Sequence, residues 1–258
     1  MKINKLIIIA FIFPLFAGCT PKEKTPPVIP SIESLNFNFS YFEQNITENT
    51  HYAFAVERIS TWKALLQDSI NIHYTTLSET SYNDFEFQKD QTWLMNFAFD
   101  IEDINYYANF FGIIEPDTVL FKTFLSFETD TLSFLEGKFF NNSKTGEWIL
   151  NKPGFDEDTI YTGIKFMTVD WSLDSLDQTE IKFTDNQIGL SNLNYILYKD
   201  SIDTEYSSYV NVYEPGSNNH SVIEWNNLTK KGRIKDLLHF NDENWHCWDE
   251  NYQNIDCN

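Results

Sequence analysis

The sequence predicts a mainly β protein: a strongly curved antiparallel meander, either an open barrel or a two-sheet sandwich, with one N-terminal amphipathic helix. Three observations point there. Beyond the helical segment, apolar residues recur with a period of two, as in Ile164–Val169 and Glu180–Thr184, the pattern of strands with one wet face. Helical spacing is clearest in one stretch, 45–68. No strand–helix–strand alternation follows it, which argues against a parallel sheet. Aromatic residues make up 17% and hydrophobic residues 42% of the 258, enough for a sizeable core.

In chain order, Lys2 and Lys5 precede an apolar run, Leu6–Phe16, interrupted only by Pro14. Spanning a bilayer takes roughly 20 apolar residues. This run is shorter, and Thr20, Lys22, Glu23 and Lys24 follow at once, so it fits the apolar part of an export signal. Phe16-Ala17-Gly18-Cys19 then resembles the lipobox of bacterial lipoproteins. The resemblance implies cleavage before Cys19, lipidation of that cysteine, and residence at the outer membrane as a lipid-anchored protein, on the periplasmic face or the cell surface. Plain secretion and an uncleaved membrane helix are the alternatives, and neither needs a cysteine at that place. Residues 1–18 are thus read as the signal peptide and 19–34 as the lipidated cysteine with a tether kept extended by Pro26, Pro27 and Pro30. Residues 35–258 are read as a single β-rich domain.

Asn36–Tyr41 alternates polar and aromatic residues and reads as a short strand. Asn45 with Glu48 three positions on resembles a capping box. Ala53, Val56, Ile59, Trp62, Leu65 and Leu66 follow at helical spacing. Strands are expected at 85–88, 93–101, 106–113, 120–127, 133–140, 146–151, 160–169, 179–184, 195–198, 206–213, 221–226 and 232–238. Reversals are marked by Asn141–Gly146, Thr184–Gln187 and Glu214–Asn219. Asn and Asp tolerate left-handed backbone and take much of the turn role in a chain with only nine glycines. A sheet of so many strands must curl or fold over to bury its apolar side.

A net charge of −20 repels phosphate backbones, which bind through Lys and Arg, so nucleic acid is excluded as a partner. The same charge disfavours electrostatic docking on anionic lipid. The acidic clusters Asp156–Asp158, Asp174–Asp177 and Asp200–Asp203 lack the spacing of a calcium loop and read as solvated turns. The nucleophile motif G-x-S-x-G and glycine-rich phosphate loops are absent. His51, His73, His220, His239 and His246 are scattered. No catalytic residue, metal or cofactor is assigned, and an exported hydrolase ranks last among the functional readings.

Cys247 and Cys257 lie close in sequence in an exported chain, so a disulfide is expected. The alternative, a metal site with His239 and His246, lacks zinc-type cysteine spacing. Trp225, Trp245 and Trp248 crowd the C-terminal region, and Tyr195, Tyr198, Tyr206, Tyr209 and Tyr213 alternate with polar residues. These are the candidate binding aromatics, for a saccharide or a protein partner, set against membership of a large aromatic core. Gly232-Arg233-Ile234-Lys235, Trp245-His246-Cys247-Trp248-Asp249 and Ile255-Asp256-Cys257 resemble the C-terminal ends of uncharacterised lipoproteins of Bacteroidota. Phe134–Trp148 is similar to the middle of the same proteins. That resemblance implies no activity and no catalytic residue. The functional expectation is therefore a membrane-anchored binding or assembly module, with carriage of an apolar ligand in a half-barrel as the alternative.

Overall fold

The computed structural model describes residues 25–30, 35, 37–44, 49–80, 84–101, 103–127, 130–140, 145–156, 159–173, 179–186, 193–200 and 205–257. Cys19 with its lipobox, the Asn45–Glu48 cap, residues 141–144 of one turn and the Asp174–Asp177 cluster lie outside the described residues. Within them the fold is mainly β, as the alternating pattern requires. The strands are β1 Glu86–Phe87, β2 Trp93–Ile101, β3 Ile104–Ile114, β4 Thr118–Phe127, β5 Asp130–Phe140, β6 Thr145–Asp156 and β7 Thr159–Leu173. They continue with β8 Thr179–Asp185, β9 Tyr195–Asp200, β10 Ser208–Glu214, β11 Asn219–Trp225, β12 Gly232–Asp236, β13 His246–Trp248 and β14 Asn254–Ile255. All fourteen join one antiparallel sheet in sequence order, and that sheet is curved and not closed. The open curved sheet, not the two-sheet sandwich, is the architecture.

Burial follows the period of two. Ser208, Val210 and Val212 on β10, and Asn219, Ser221, Ile223 and Trp225 on β11, face inward while their neighbours face out. Register irregularities occur at Thr123/Phe124 in the β4–β5 pairing and at Leu150/Asn151 and Lys152/Gly154 in the β6–β7 pairing. Such bulges sharpen local twist and help a long sheet bend. Gly137 is needed for close approach: a Cβ there would come within 2.6 Å of the Trp148 ring.

Helix α1, His51–Ser69, starts where Thr50 Oγ1 accepts from Ala53 N at 3.1 Å, so Thr50 and not Asn45 is its cap. Tyr52, Ala55, Ile59, Trp62 and Leu66 are buried, spaced three and four apart so that one stripe faces the sheet. Ile59, Trp62 and Leu66 were legible from spacing. Val56 and Leu65 pack half-buried against the core, and Tyr52 joins the stripe with its hydroxyl donating to Tyr41 O at 2.7 Å. A second helix, α2 Asn71–Ser78, was not expected. Its buried His73 stacks on Phe134 of β5 at 3.9 Å, with Nε2 3.0 Å from Asn151 O of β6. The two helices thus lie across the inner face, α1 against β12 and β13 and α2 against β5 and β6.

The expected strand at Asn36–Tyr41 is not one. Phe37 and Phe39 point in and Asn38 and Ser40 point out, so the alternation is right, but the segment crosses the inner face instead of joining the sheet and then forms a 3₁₀ turn, Ser40–Glu43. Within the proline-rich segment, Pro27 and Ile29 are also part of the body. A Cβ on Gly112 of β3 would come within 2.7 Å of Pro27 Cγ, and Ile29 packs on the core. The strap continues past Tyr198 of β9, whose ring is 4.7 Å from Phe37. It ends with Tyr41 stacked on Trp225 at 5.4 Å, its hydroxyl donating to Lys230 O at 2.7 Å. Strap and helices together cover the inner face.

At the C-terminal side the expected strand 232–238 stops at Asp236, whose carboxylate accepts from His239 N at 3.0 Å and caps a short helix, α3 Leu237–Phe240. Tyr206 precedes β10 rather than opening it. The sequence pattern does not show β13 or the edge strand β14; Cys247 on β13 and Cys257 just beyond β14 are joined in a disulfide.

Candidate functional site

The outer face of β8–β12 gathers the tyrosines that the sequence singled out. Pairing registers place three rows across it. One runs Thr184, Tyr195, Tyr213, His220. The next runs Lys182, Leu197, Asn211, Val222, Lys235, and the third Glu180, Lys199, Tyr209, Glu224, Arg233. Alternation along β9 and β10 puts Tyr195, Tyr209 and Tyr213 on this face. It sends Tyr198, one residue out of phase, to the inner face.

Rings and cations interleave here. Tyr195 and Tyr213 are 5.1 Å apart, and Tyr213 stacks on His220 at 4.6 Å. Lys182 Nζ lies 4.5 Å from the Tyr195 ring and Lys199 Nζ 5.1 Å from the Tyr209 ring. Arg233 sits between Tyr206 at 4.4 Å and Trp245 at 4.3 Å, with Nη2 2.6 Å from Glu224 Oε2. Burial, and then the neighbouring Tyr213 hydroxyl, holds the Tyr195 phenol above its ordinary range. Burial, and then Tyr195 and nearby glutamates, does the same for Tyr209. Both therefore stay protonated at neutral pH. The face offers phenol hydroxyls, amide groups and fixed cations along aromatic edges, chemistry suited to a hydroxyl-rich partner.

Two of the three candidate tryptophans are corrected. Trp225 is 1% exposed and Trp248 0%. Their indoles are core: Trp225 packs on Tyr41 and Phe42, and Trp248 Nε1 donates to Tyr41 Oη at 2.9 Å. Only Trp245 reaches the surface, and Arg233 and Lys235 lie over its ring. The phase of alternation could have sorted the tyrosines. The same phase puts Trp225 inward with Ile223 on β11, but nothing local marked Trp248, whose partner Tyr41 lies far along the chain.

Three of the five histidines come together, which spacing did not show. His51 is 5.0 Å from His246, His246 stacks on Phe240 at 3.6 Å, and His239 stacks on Phe54 at 3.5 Å. His51 Nδ1 lies 3.0 Å from Cys247 O, and His246 Nε2 3.1 Å from Asp242 Oδ1. Burial, opposed by the bond to Cys247 O and joined by repulsion from His246 and His239, lowers the His51 pKa. Among the described residues no group of three or more His, Cys, Asp or Glu is arranged to hold a metal ion. The disulfide takes Cys247 and Cys257 out of any thiolate chemistry, and Phe54 and Phe240 stack on the His239 and His246 rings, so the cluster reads as a packed clasp between α1, α3 and β13.

A groove of about 490 Å³ lies between strap and helices, lined by Leu35, Phe37, Leu66 and Ile70 beside Glu43 and Asn71. No helix of the described residues is long and apolar enough to cross a membrane. The chain matches no known protein family, no characterised protein and no solved structure.

Proposed function

We propose that this protein is a lipid-anchored, extracytoplasmic binding module that engages saccharide through the outer face of β8–β12. The lipobox-like segment ending at Cys19, and the resemblance to Bacteroidota lipoproteins, support the anchor and the compartment. The observation that carries the binding role is the row of Tyr195, Tyr213 and His220 beside Tyr209, Lys182 and Lys199. In a chain of net charge −20, cations and phenols concentrated on one sheet face offer what neutral and acidic sugars use. Titration calorimetry against neutral and uronic-acid-containing polysaccharides tests it. Binding that falls severalfold in Tyr209→Ala and Tyr213→Ala, with the fold intact by circular dichroism, supports the reading. Binding unaffected by either change, or no binding to any polysaccharide, removes it.

A second reading, carriage of an amphiphile, rests on the groove between strap and helices, whose volume lies within the range of ligand pockets. Saturable uptake of a fluorescent fatty acid, abolished when Gln67→Trp fills the groove, supports it; uptake unchanged by that substitution counts against it.

A further inference from the structure

We propose that one end of the sheet is built to rest on the membrane: the rim that carries Val28, Ile113, Ile114 and Leu228. The proposal rests on the anchor reading of Cys19.

In a meander every second connection lies at the same end. The β3–β4 and β11–β12 turns therefore share one rim. Both ends of the strap meet it as well. Pro27 sits against Gly112, two residues before the end of β3, and Tyr41 is hydrogen-bonded to Lys230 in the β11–β12 turn. Any chain running back from the body toward Cys19 thus leaves from this rim. Cys19 and Pro27 are eight positions apart, a reach of at most about 28 Å. A lipid inserted at Cys19 holds this end, and not the other, within that distance of the bilayer.

Four apolar side chains are displayed there, beside the exposed carboxylates of Glu115 and Asp117 in the β3–β4 turn and of Glu250, which pairs with Lys231 at 3.9 Å. Val28 is 76% exposed, Ile113 41%, Ile114 47% and Leu228 93%. Leu228 does not sit on a slack loop. Asn226 Oδ1 accepts from the backbone N–H of both Leu228 and Thr229, at 2.9 and 3.0 Å. The left-handed Lys230 (φ 62°) then closes the turn while its carbonyl is held by Tyr41. A leucine is presented at the tip of a braced turn, with Lys230 and Lys231 next to it at the level where headgroups would lie. Exposed apolar side chains around a tether point are what an interfacial contact uses. The opposite end also exposes leucines, among them Leu237 and Leu238 on α3, but the strap does not begin there.

The test uses the full acylated protein in phosphatidylcholine vesicles, with an environment-sensitive fluorophore on a single introduced cysteine and the native pair left oxidised. Leu228→Cys reports the proposed rim and Leu238→Cys the other end. We expect iodide quenching at position 228 to fall severalfold on vesicles and nitroxide lipid to quench it, while position 238 stays as accessible as in solution. Accessibility at 228 equal to that in solution, or protection at 238 instead, overturns the proposal. As a second readout, Ile113→Ser with Ile114→Ser and Leu228→Ser should restore iodide access to a probe at Val28→Cys; continued protection overturns it. Mass spectrometry of the N terminus separates the two readings. An acylated Cys19 with position 228 in water defeats the rim alone, whereas a terminus without acyl chains defeats the anchor and the rim together.

Discussion

The two halves of the sheet are held together differently. From β2 to β7 the strands are long and the inner face is mostly apolar: Met95, Phe110, Phe121, Leu125, Phe134, Trp148 and Phe166 pack together, and the polar groups among them, His73, Thr123 and Asn151, are an imidazole, a hydroxyl and an amide and not carboxylates. From β8 to β14 the strands shorten and the interior carries a charge. Asp236 is fully buried, and its carboxylate accepts from Asn219 Nδ2 at 3.0 Å, Ser221 Oγ at 2.5 Å and His239 N at 3.0 Å, with Arg58 Nε at 3.5 Å. Arg58 in turn reaches Glu214 at 3.0 Å. Burial opposes the charged form of Asp236, but these bonds and the guanidinium outweigh it, so its pKa is lowered. Long cross-strand ladders hold themselves by apolar area. Short strands need directional bonds to fix α1, α3 and β13 in one arrangement.

That contrast can be broken at its strongest points first. Trp148→Ala, in the apolar half, should cost about 4 kcal/mol through the cavity left behind, read as a lower urea midpoint. Asp236→Ala, in the polar half, should cost about 3 kcal/mol, because it leaves Arg58 and three donors without their acceptor. Asp236→Asn should recover part of that and leave α3 capped. A drop for Trp148→Ala far below that for Asp236→Ala would reverse the comparison.

Cys257→Ser opens a link of sequence separation 10 and should cost roughly 2 to 3 kcal/mol on the chain-entropy estimate. Hydrogen exchange should rise first at β13 and β14 and leave β3–β6 unchanged. Acid sharpens the contrast further. His51 has a pKa below its ordinary 6.5, so the unfolded chain binds a proton there more readily than the folded one. Stability from this group is therefore whole above about pH 6.5 and declines as pH falls below it. A His51→Gln variant should flatten that part of the pH–stability curve, and a slope left unchanged would exclude His51 as its source. The smallest effect is expected on the outer face. Tyr213→Ala should alter stability by less than about 1 kcal/mol, the scale of a cross-strand pair, while changing saccharide binding if that face is the recognition surface.

Legibility differed between the halves for the same reason. The alternation of residues 93–101 and 120–127 named β2 and β4 nearly to their ends, because a strand with one wet face writes its period into the chain. The tail obeyed no period. Asp236 ends a strand because its side chain caps α3, and His246–Trp248 is too short to show alternation. Asn36–Tyr41 showed a true alternation that the fold used for a strap instead of a strand. For the candidate site, the phase of Tyr195, Tyr209 and Tyr213 was readable once strand limits were known. The gathering of His51, His239 and His246 was not.

By itself the sequence determined the fold class, the helical stripe of Ile59, Trp62 and Leu66, and the proximity of Cys247 to Cys257. These follow from local periodicity and short separations, which need no partner to be seen. Tertiary structure alone decided that Trp225 and Trp248 are core, that Pro27 and Ile29 belong to the body, and that a buried carboxylate anchors the C-terminal half. Each of those depends on groups far apart in the chain meeting in space, Tyr41 with Trp248 and Arg58 with Asp236 among them. The gain from such meetings lies in burial and hydrogen bonds that no stretch of neighbouring residues encodes.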